Sequence, residues 1–163
     1  KVRLHIMGGV DDEEYGAECH ALVETLGVRD LIFTGRVNVV EYMEKLDFTI
    51  LTSISEGQPL SVLESLAARR PCVTTEVGCC RDLLEGAPGD DFGVAGFVTP
   101  PMYRKGLADA MERMCTSRAR RIEMGERGQR RVATYFLHEQ MLANYRALYD
   151  ETARAFNLPR EGE

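Results

Sequence analysis

Phe48-Thr49-Ile50-Leu51-Thr52-Ser53-Ile54-Ser55-Glu56-Gly57-Gln58-Pro59-Leu60-Ser61-Val62-Leu63-Glu64-Ser65-Leu66-Ala67 reads as a strand, a turn and a helix in direct succession. Phe48 to Thr52 is the strand. From Ser61 to Arg69, with Leu60, Leu63, Leu66 and Ala67 on one face, the period is helical. Pro71 stops that helix, because its ring and missing N–H cannot continue the ladder, and feeds a further strand, Cys72 to Thr75.

The same alternation extends both ways. Upstream, Val2, Leu4 and Ile6 alternate with polar neighbours in a strand that enters Gly8-Gly9. Asp11 to Gly27 is a helix with an acidic first turn (Asp11, Asp12, Glu13, Glu14), an apolar stripe (Ala21, Leu22, Thr25, Leu26) and a closing glycine. Residues 31–34 form a short buried strand, and Val39 to Leu46 a short helix. Downstream, a brief helix over Cys80 to Glu85 leads to the glycine-rich loop Gly86 to Gly93, of a composition common in ligand loops, then to a strand over Gly96 to Thr99. Strand and helix alternating at this spacing predict βαβ units and a parallel sheet of about five strands. Beyond Pro101 the pattern is helical throughout. Leu107, Ala110, Met111 and Met114 mark one helix, residues 118 to about 155 are expected to be helical with interruptions near Gly125 and Gly128, and Pro159 with Glu161-Gly162-Glu163 reads as a frayed tail.

Composition narrows the function. At 163 residues, 44% hydrophobic and 28% charged, the chain has the size and make-up of one globular domain. Its net charge of −6 lacks the positive field of a nucleic-acid binder. Arg118, Arg120, Arg121, Arg127, Arg130 and Arg131, interleaved with Glu123 and Glu126, read as a solvated, salt-bridged helix face. Five cysteines, odd in number and without Cys-x-x-Cys spacing, suggest neither a disulfide framework nor a zinc site and fit reduced cytoplasmic thiols. His5 reads as a strand residue, and His20 and His138 as surface residues, none at metal-ligand spacing. No apolar run approaches the roughly 18 residues of a membrane span, and no targeting pattern opens the chain.

The turn between Phe48 and Glu64 carries the chemistry. In a parallel sheet, ligands bind outside the carboxyl ends of the strands. Gly57 permits close backbone approach, Pro59 fixes φ ahead of the helix, and the Leu60, Ser61 and Val62 amides form the positive end of a helix that attracts anions. Side chains lean toward a helix's N-terminus, so Glu64 can accept paired hydrogen bonds from vicinal hydroxyls such as a ribose carries. Glu56 can accept hydrogen bonds from a sugar or stabilise positive charge at its anomeric carbon. Taken singly, each residue has a plainer explanation: a helix-stabilising acid, a surface acid, an ordinary Gly-x-Pro turn. Their joint order on one junction favours a site.

Ser55-Glu56-Gly57 through Leu63-Glu64-Ser65-Leu66-Ala67-Ala68, followed by Arg70-Pro71-Cys72-Val73-Thr74-Thr75 and Val77-Gly78, resembles the paired-glutamate motif of family 4 of the retaining GT-B glycosyltransferases. The resemblance continues through Phe33-Thr34-Gly35, Ala95-Gly96-Phe97-Val98, Leu107-Ala108 and Met124-Gly125-Glu126-Arg127-Gly128. Gln58-Pro59-Leu60, Gly78 to Leu83 and Gly93 to Gly96 are most similar to the PelF-like branch, which includes the cytoplasmic glycosyltransferase of Pel exopolysaccharide synthesis. It implies a Rossmann-like donor-binding domain over residues 1–163, with a UDP-hexose as donor substrate and no metal or other cofactor. Glu56 would act on the transferred sugar. Gly57, Gln58, Pro59, Leu60 and Ser61 would hold sugar and phosphates, Glu64 the ribose, and Arg36 and Val37 the nucleobase. It further implies a carbohydrate acceptor bound mainly by an N-terminal domain absent from this chain, and a membrane exopolysaccharide synthesis complex as partner.

Two departures accompany the resemblance. Gln58 and Pro59 stand where the family has an aromatic and a glycine. The family's domain also begins one strand and helix earlier, with a basic pair that neutralises the diphosphate, so the chain is expected to be an N-terminally truncated piece with little activity alone. Two other classes compete. One is a nucleotide-binding or regulatory module, either a transferase scaffold that has lost catalysis or a receiver-like domain; the receiver needs an acidic pocket with a lysine, which Asp11, Asp12, Asp47 and the lysines Lys1, Lys45 and Lys105 do not obviously supply. A dinucleotide-dependent oxidoreductase needs Gly-x-Gly-x-x-Gly, which Met7-Gly8-Gly9-Val10 does not match.

Overall fold

The computed structural model describes residues 2–156; the tail expected to fray, Pro159 to Glu163, lies outside the described residues. Two compact units make up the chain, Lys1–Lys45 and Leu46–Glu163.

The first unit is a βαβ motif with a short appended helix: β1 (Leu4–Met7), α1 (Glu13–Thr25), β2 (Leu31–Gly35) and α2 (Val39–Met43). β1 and β2 are parallel, Leu4 opposite Leu31, with a slip in register after Ile6. Asp12 caps α1 by accepting from the Tyr15 amide at 3.0 Å. Its far end closes at Gly27, whose φ of +63° is the left-handed conformation that stops helices without a steric penalty. The stripe expected from the sequence, Ala21, Leu22, Thr25 and Leu26, is exposed; Gly16 is buried, with Cys19 and Val23 half-buried. Gly16 lies close under Val10, whose side chain a Cβ there would approach to 2.6 Å. His5 lies in β1 as expected and meets the Tyr42 hydroxyl of α2 at 2.6 Å. His20 is exposed, yet its ring packs 4.0 Å from that of Phe33.

The second unit holds β3 (Thr49–Leu51), α3 (Leu60–Ala67), β4 (Cys72–Thr75), α4 (Cys80–Glu85), β5 (Gly96–Thr99), α5 (Arg104–Thr116), α6 (Arg118–Tyr135) and α7 (His138–Phe156). Its three strands are parallel in the order β3-β4-β5. Every residue of the central strand β4 is buried, because both faces of the sheet are covered, as parallel sheets require. Side chains alternate across a strand, so Cys72 joins Val62, Leu66, Leu83 and Leu84 on the α3 and α4 side, whereas Val73 joins Phe97, Ala110, Met114 and Met124 on the α5 side. A hydroxyl relay fastens β3, α3 and β4 together. Ser65 donates to the Arg70 carbonyl at 2.9 Å, Thr49 therefore donates to Ser65 at 2.7 Å, and the Cys72 thiol donates to Thr49. Burial pushes that thiol up to about 11, which keeps it protonated and able to donate.

Gly125 and Gly128 do not interrupt the last third of the chain, contrary to the sequence expectation; α6 runs through both. The break falls instead at Phe136-Leu137, where the Gln140 side chain accepts from the Leu137 amide and donates to the Thr134 carbonyl. The glycines are there for close approach. A Cβ at Gly125 would stand 2.2 Å from the Arg69 carbonyl oxygen, and one at Gly128 2.5 Å from Leu66. Helix propensity alone would make alanine better than glycine by about 1 kcal/mol. Overpacking against a backbone carbonyl costs about 1–3 kcal/mol and more where nothing can move. Gly125→Ala is therefore expected to lower unfolding free energy in a urea titration, and an increase would show that the α3–α6 approach is not tight.

Candidate functional site

The turn lies between the end of β3 at Leu51 and the start of α3 at Leu60. Pro59 occupies the cap position with extended backbone, φ −71° and ψ 114°, and has no side chain to cap with. Its carbonyl receives the Val62 and Leu63 amides at 3.2 and 3.4 Å. The first N–H groups of any helix lack an intrahelical acceptor. Leu60 and Ser61, both exposed, have amides without a backbone or side-chain acceptor among the described residues. They are positive ends facing solvent.

Glu56 is half-buried and held from behind. Thr75 on β4 donates to the Ser53 carbonyl at 2.5 Å, and Ser53 Oγ donates to Glu56 Oε1 at 2.7 Å. One carboxylate oxygen is thus occupied by a neutral donor, and the other is left to accept. Gln58 is exposed, and partial burial raises the Cys79 thiol above its ordinary range. Glu64 is the fifth residue of α3, exposed, with no hydrogen bond or ion pair to its carboxylate among the described residues. Macrodipole stabilisation falls off beyond the first turn, and α3 has no acid in its first turn. Helix stabilisation therefore accounts poorly for Glu64. Counting back by three and four puts it on one face with Ser61 and Leu60. Arg36 and Val37 belong to the first unit, where Arg36 pairs with Asp11 at 3.6 Å, both well exposed.

A feature the sequence reading did not single out sets the path of the turn. The β4–α4 junction reaches across to it. The Cys79 amide donates to the Gly57 carbonyl at 3.0 Å, and a Cβ at Gly78 would lie 2.1 Å from that same oxygen and 2.5 Å from the Glu56 carbonyl oxygen. Gly78 also has φ +50°. Burial raises the Cys80 thiol as well, so the cysteines beside the turn are neutral and the formal charges in the turn are the two carboxylates.

The glycosyl transferases group 1 family matches residues 1–117. The chain belongs to that family. Among its relatives, the N-acetyl-alpha-D-glucosaminyl L-malate synthase of Bacillus anthracis is 27% identical over 135 residues, covering 82% of this chain and 34% of that protein. The chain thus spans about a third of that relative's length. Among solved structures, sucrose-phosphate synthase from Thermosynechococcus elongatus superposes with a TM-score of 0.82 at 22% identity, over 94% of this chain and 39% of that one. Anabaena HepE in complex with UDP-glucose gives 0.75 at 20% identity, over 90% and 41%. These likenesses establish the GT-B, Rossmann-like fold.

In this member of the group 1 family the glycine-rich loop, Gly86 to Gly93, is held by a buried arginine. Arg131, expected on a solvated face, is 1% exposed. Its guanidinium donates to both Asp90 oxygens, Nε to Oδ2 at 2.5 Å and Nη2 to Oδ1 at 3.0 Å, and to the carbonyls of Leu83, Leu84 and Gly93. No charge pattern distinguishes Arg131 from Arg130 in the sequence. What separates them is helical phase, since Arg131 shares the buried face of α6 with Met124 and Gly128.

Two outcomes follow for this family member. Gly78→Ala is expected to lower stability by about 1–3 kcal/mol or more through the clash and the left-handed φ, and to shift the amide resonances of Gly57 and Gln58 by NMR. An unshifted turn would mean that the junction does not hold it. The Arg131 guanidinium holds the Asp90 carboxyl below its usual range. Its stabilisation is present above the unfolded carboxyl pKa, about 3.9, and is lost as pH falls through the depressed folded value. Asp90→Asn should cost about 3–5 kcal/mol at neutral pH by leaving a buried charge unpaired. That gap to the wild type should narrow below about pH 4 in denaturant titrations; a pH-independent gap would remove the ion pair from the account.

Proposed function

We propose that the chain is the donor-binding half of a retaining family 4 glycosyltransferase of the PelF-like branch that moves a hexosyl unit from a UDP-sugar to a polysaccharide acceptor in the cytoplasm. The observation that carries the reading is a helix start with free amides at Leu60 and Ser61, flanked by a fixed carboxylate, Glu56, and an unpaired one, Glu64. A relative of the same fold was solved with UDP-glucose.

In this proposal the Leu60 and Ser61 amides receive the diphosphate, with Gly57, Gln58 and Pro59 lining the sugar side. Glu64 accepts from the two ribose hydroxyls, and Arg36 and Val37 contact the nucleobase. Glu56, its carboxylate positioned by Ser53 and Thr75, stabilises the positive charge that develops at the anomeric carbon as the bond to phosphate breaks. The acceptor hydroxyl attacks from the face the diphosphate leaves, forming the new glycosidic bond, and its proton passes to the departing diphosphate. Configuration is retained, and no metal is needed. Acceptor binding and membership of an exopolysaccharide complex fall to parts of the enzyme outside this chain.

The test uses the full-length protein in buffer containing EDTA. UDP and UDP-glucose should raise Tm and NADH should not. Glu64→Ala should weaken UDP binding by about tenfold or more, as loss of charge-assisted hydrogen bonds does. Glu56→Ala should leave UDP binding nearly intact and lower kcat by about a hundredfold or more. Equal stabilisation by NADH, or UDP affinity indifferent to residue 64, would remove the sugar-nucleotide site.

A further inference from the structure

A cleft of about 580 Å3 runs along β5, between that strand and helices α5 and α6, and none of residues 56–64 lines it. β5 is the edge of its sheet, so its outer side is open to a partner. The volume falls within the range of about 300–1,000 Å3 typical of small-molecule sites.

The charges along this cleft are unevenly matched. Its three acids are each committed to a base: Glu85 to Arg81 at 2.6 Å, Asp109 to Lys105 at 2.7 Å, and Glu123 to Arg127 at 2.5 Å. Arg113 from α5 and Arg120 from α6 have no such partner. Their guanidinium carbons lie 4.2 and 5.1 Å from the centre of the Phe97 ring. Neither side chain makes a hydrogen bond or ion pair among the described residues. Stacking on a ring engages the flat face of a guanidinium and leaves its in-plane N–H donors free. Two like charges thus share one aromatic platform in a chain of net charge −6, with their hydrogen-bonding capacity unspent. Planar forks of this kind match the oxygens of phosphate and carboxylate, and Val94 and Val98 give the cleft apolar lining for an organic moiety.

We propose that this cleft binds a small organic oxyanion, carrying a phosphate or a carboxylate, through Arg113 and Arg120, at a site separate from the donor turn. The experiment is calorimetric titration of the full-length protein with glycerol 3-phosphate and with citrate, in the presence and absence of saturating UDP. At least one probe binds at millimolar concentration or tighter, and which one does distinguishes phosphate from carboxylate. UDP does not displace it. Arg113→Gln with Arg120→Gln weakens binding by about tenfold or more, whereas Arg118→Gln, on α6 but outside the cleft, leaves it unchanged. Glu123→Gln, which frees Arg127 to become a third cation, tightens binding and provides a second readout should the double variant fold poorly. Neither probe binding, equal loss in Arg118→Gln, displacement by UDP, or binding unmoved by both the double variant and Glu123→Gln would overturn the proposal. The arginine comparison holds whether or not UDP itself binds.

Discussion

The turn after β3 depends on a close backbone approach at Gly78, where no side-chain atom fits between the β4–α4 junction and the carbonyls of Glu56 and Gly57. The turn after β3 has few means of holding its shape. It lacks a side-chain cap on α3, and Gly57 and Gln58 are exposed. Its order comes from outside, through the Cys79 amide on the Gly57 carbonyl and the Thr75 hydroxyl on the Ser53 carbonyl. Both donors belong to β4 or the bend that follows it. β4 is in turn the strand buried on both faces, so a surface turn takes its rigidity from the part of the unit with least freedom to move. That is the arrangement a binding turn requires, because a loop that must be ordered by its ligand loses affinity to entropy.

The alternation of elements was legible in the sequence because each strand of this unit sits beside a breaker that acts locally. Pro71 ahead of β4 and the Pro59 step into α3 hold whatever the tertiary context. The features that were not legible depend on which face of a helix meets what. Gly125 and Gly128 look like breaks when propensity is summed along the chain, and become contacts once α6 is laid against Arg69 and Leu66. Arg131 looks like Arg130 until the phase of α6 is known. In α1 the apolar stripe at Leu22 and Leu26 was visible, but the buried residue is Gly16, which has no side chain to register in a hydrophobic pattern. The location of the candidate turn was readable because strand, glycine, proline and helix are adjacent in sequence. Its support by Gly78 was not, since a glycine 21 residues further on bears no local sign of what it touches.

Arg131 and Asp90 illustrate why such a loop tolerates a buried charge at all. Removing an arginine from water costs several kcal/mol, and a single carboxylate seldom offsets that. Here the guanidinium also meets three carbonyls, those of Leu83, Leu84 and Gly93, so its donors are spread over five acceptor atoms rather than one partner. Those carbonyls lie at the end of α4 and in the following loop, and the Leu84 carbonyl also receives the Ala95 amide at 2.7 Å. The pair is better understood as the cap of α4 and the lock of the loop than as a freestanding salt bridge.

The electrostatics of the candidate turn bear on how much of a donor site this chain can supply. Two carboxylates, Glu56 and Glu64, flank the start of α3, and a helix N-terminus carries only about half a positive charge. The turn by itself is therefore net negative, and a diphosphate approaching it is repelled at longer range before the amides can attract it at contact. Three cations elsewhere in the unit are engaged, Arg81 with Glu76 and Glu85, Arg121 with Asp47 and two carbonyls, and Arg131 with Asp90, and the unpaired Arg113 and Arg120 line the cleft along β5, which none of residues 56–64 lines. If the turn holds a nucleotide sugar, the compensating charge comes from outside it. In the proposed site the turn would contribute direction more than affinity, its amides orienting the diphosphate and its carboxylates selecting hydroxyl-bearing groups at either end.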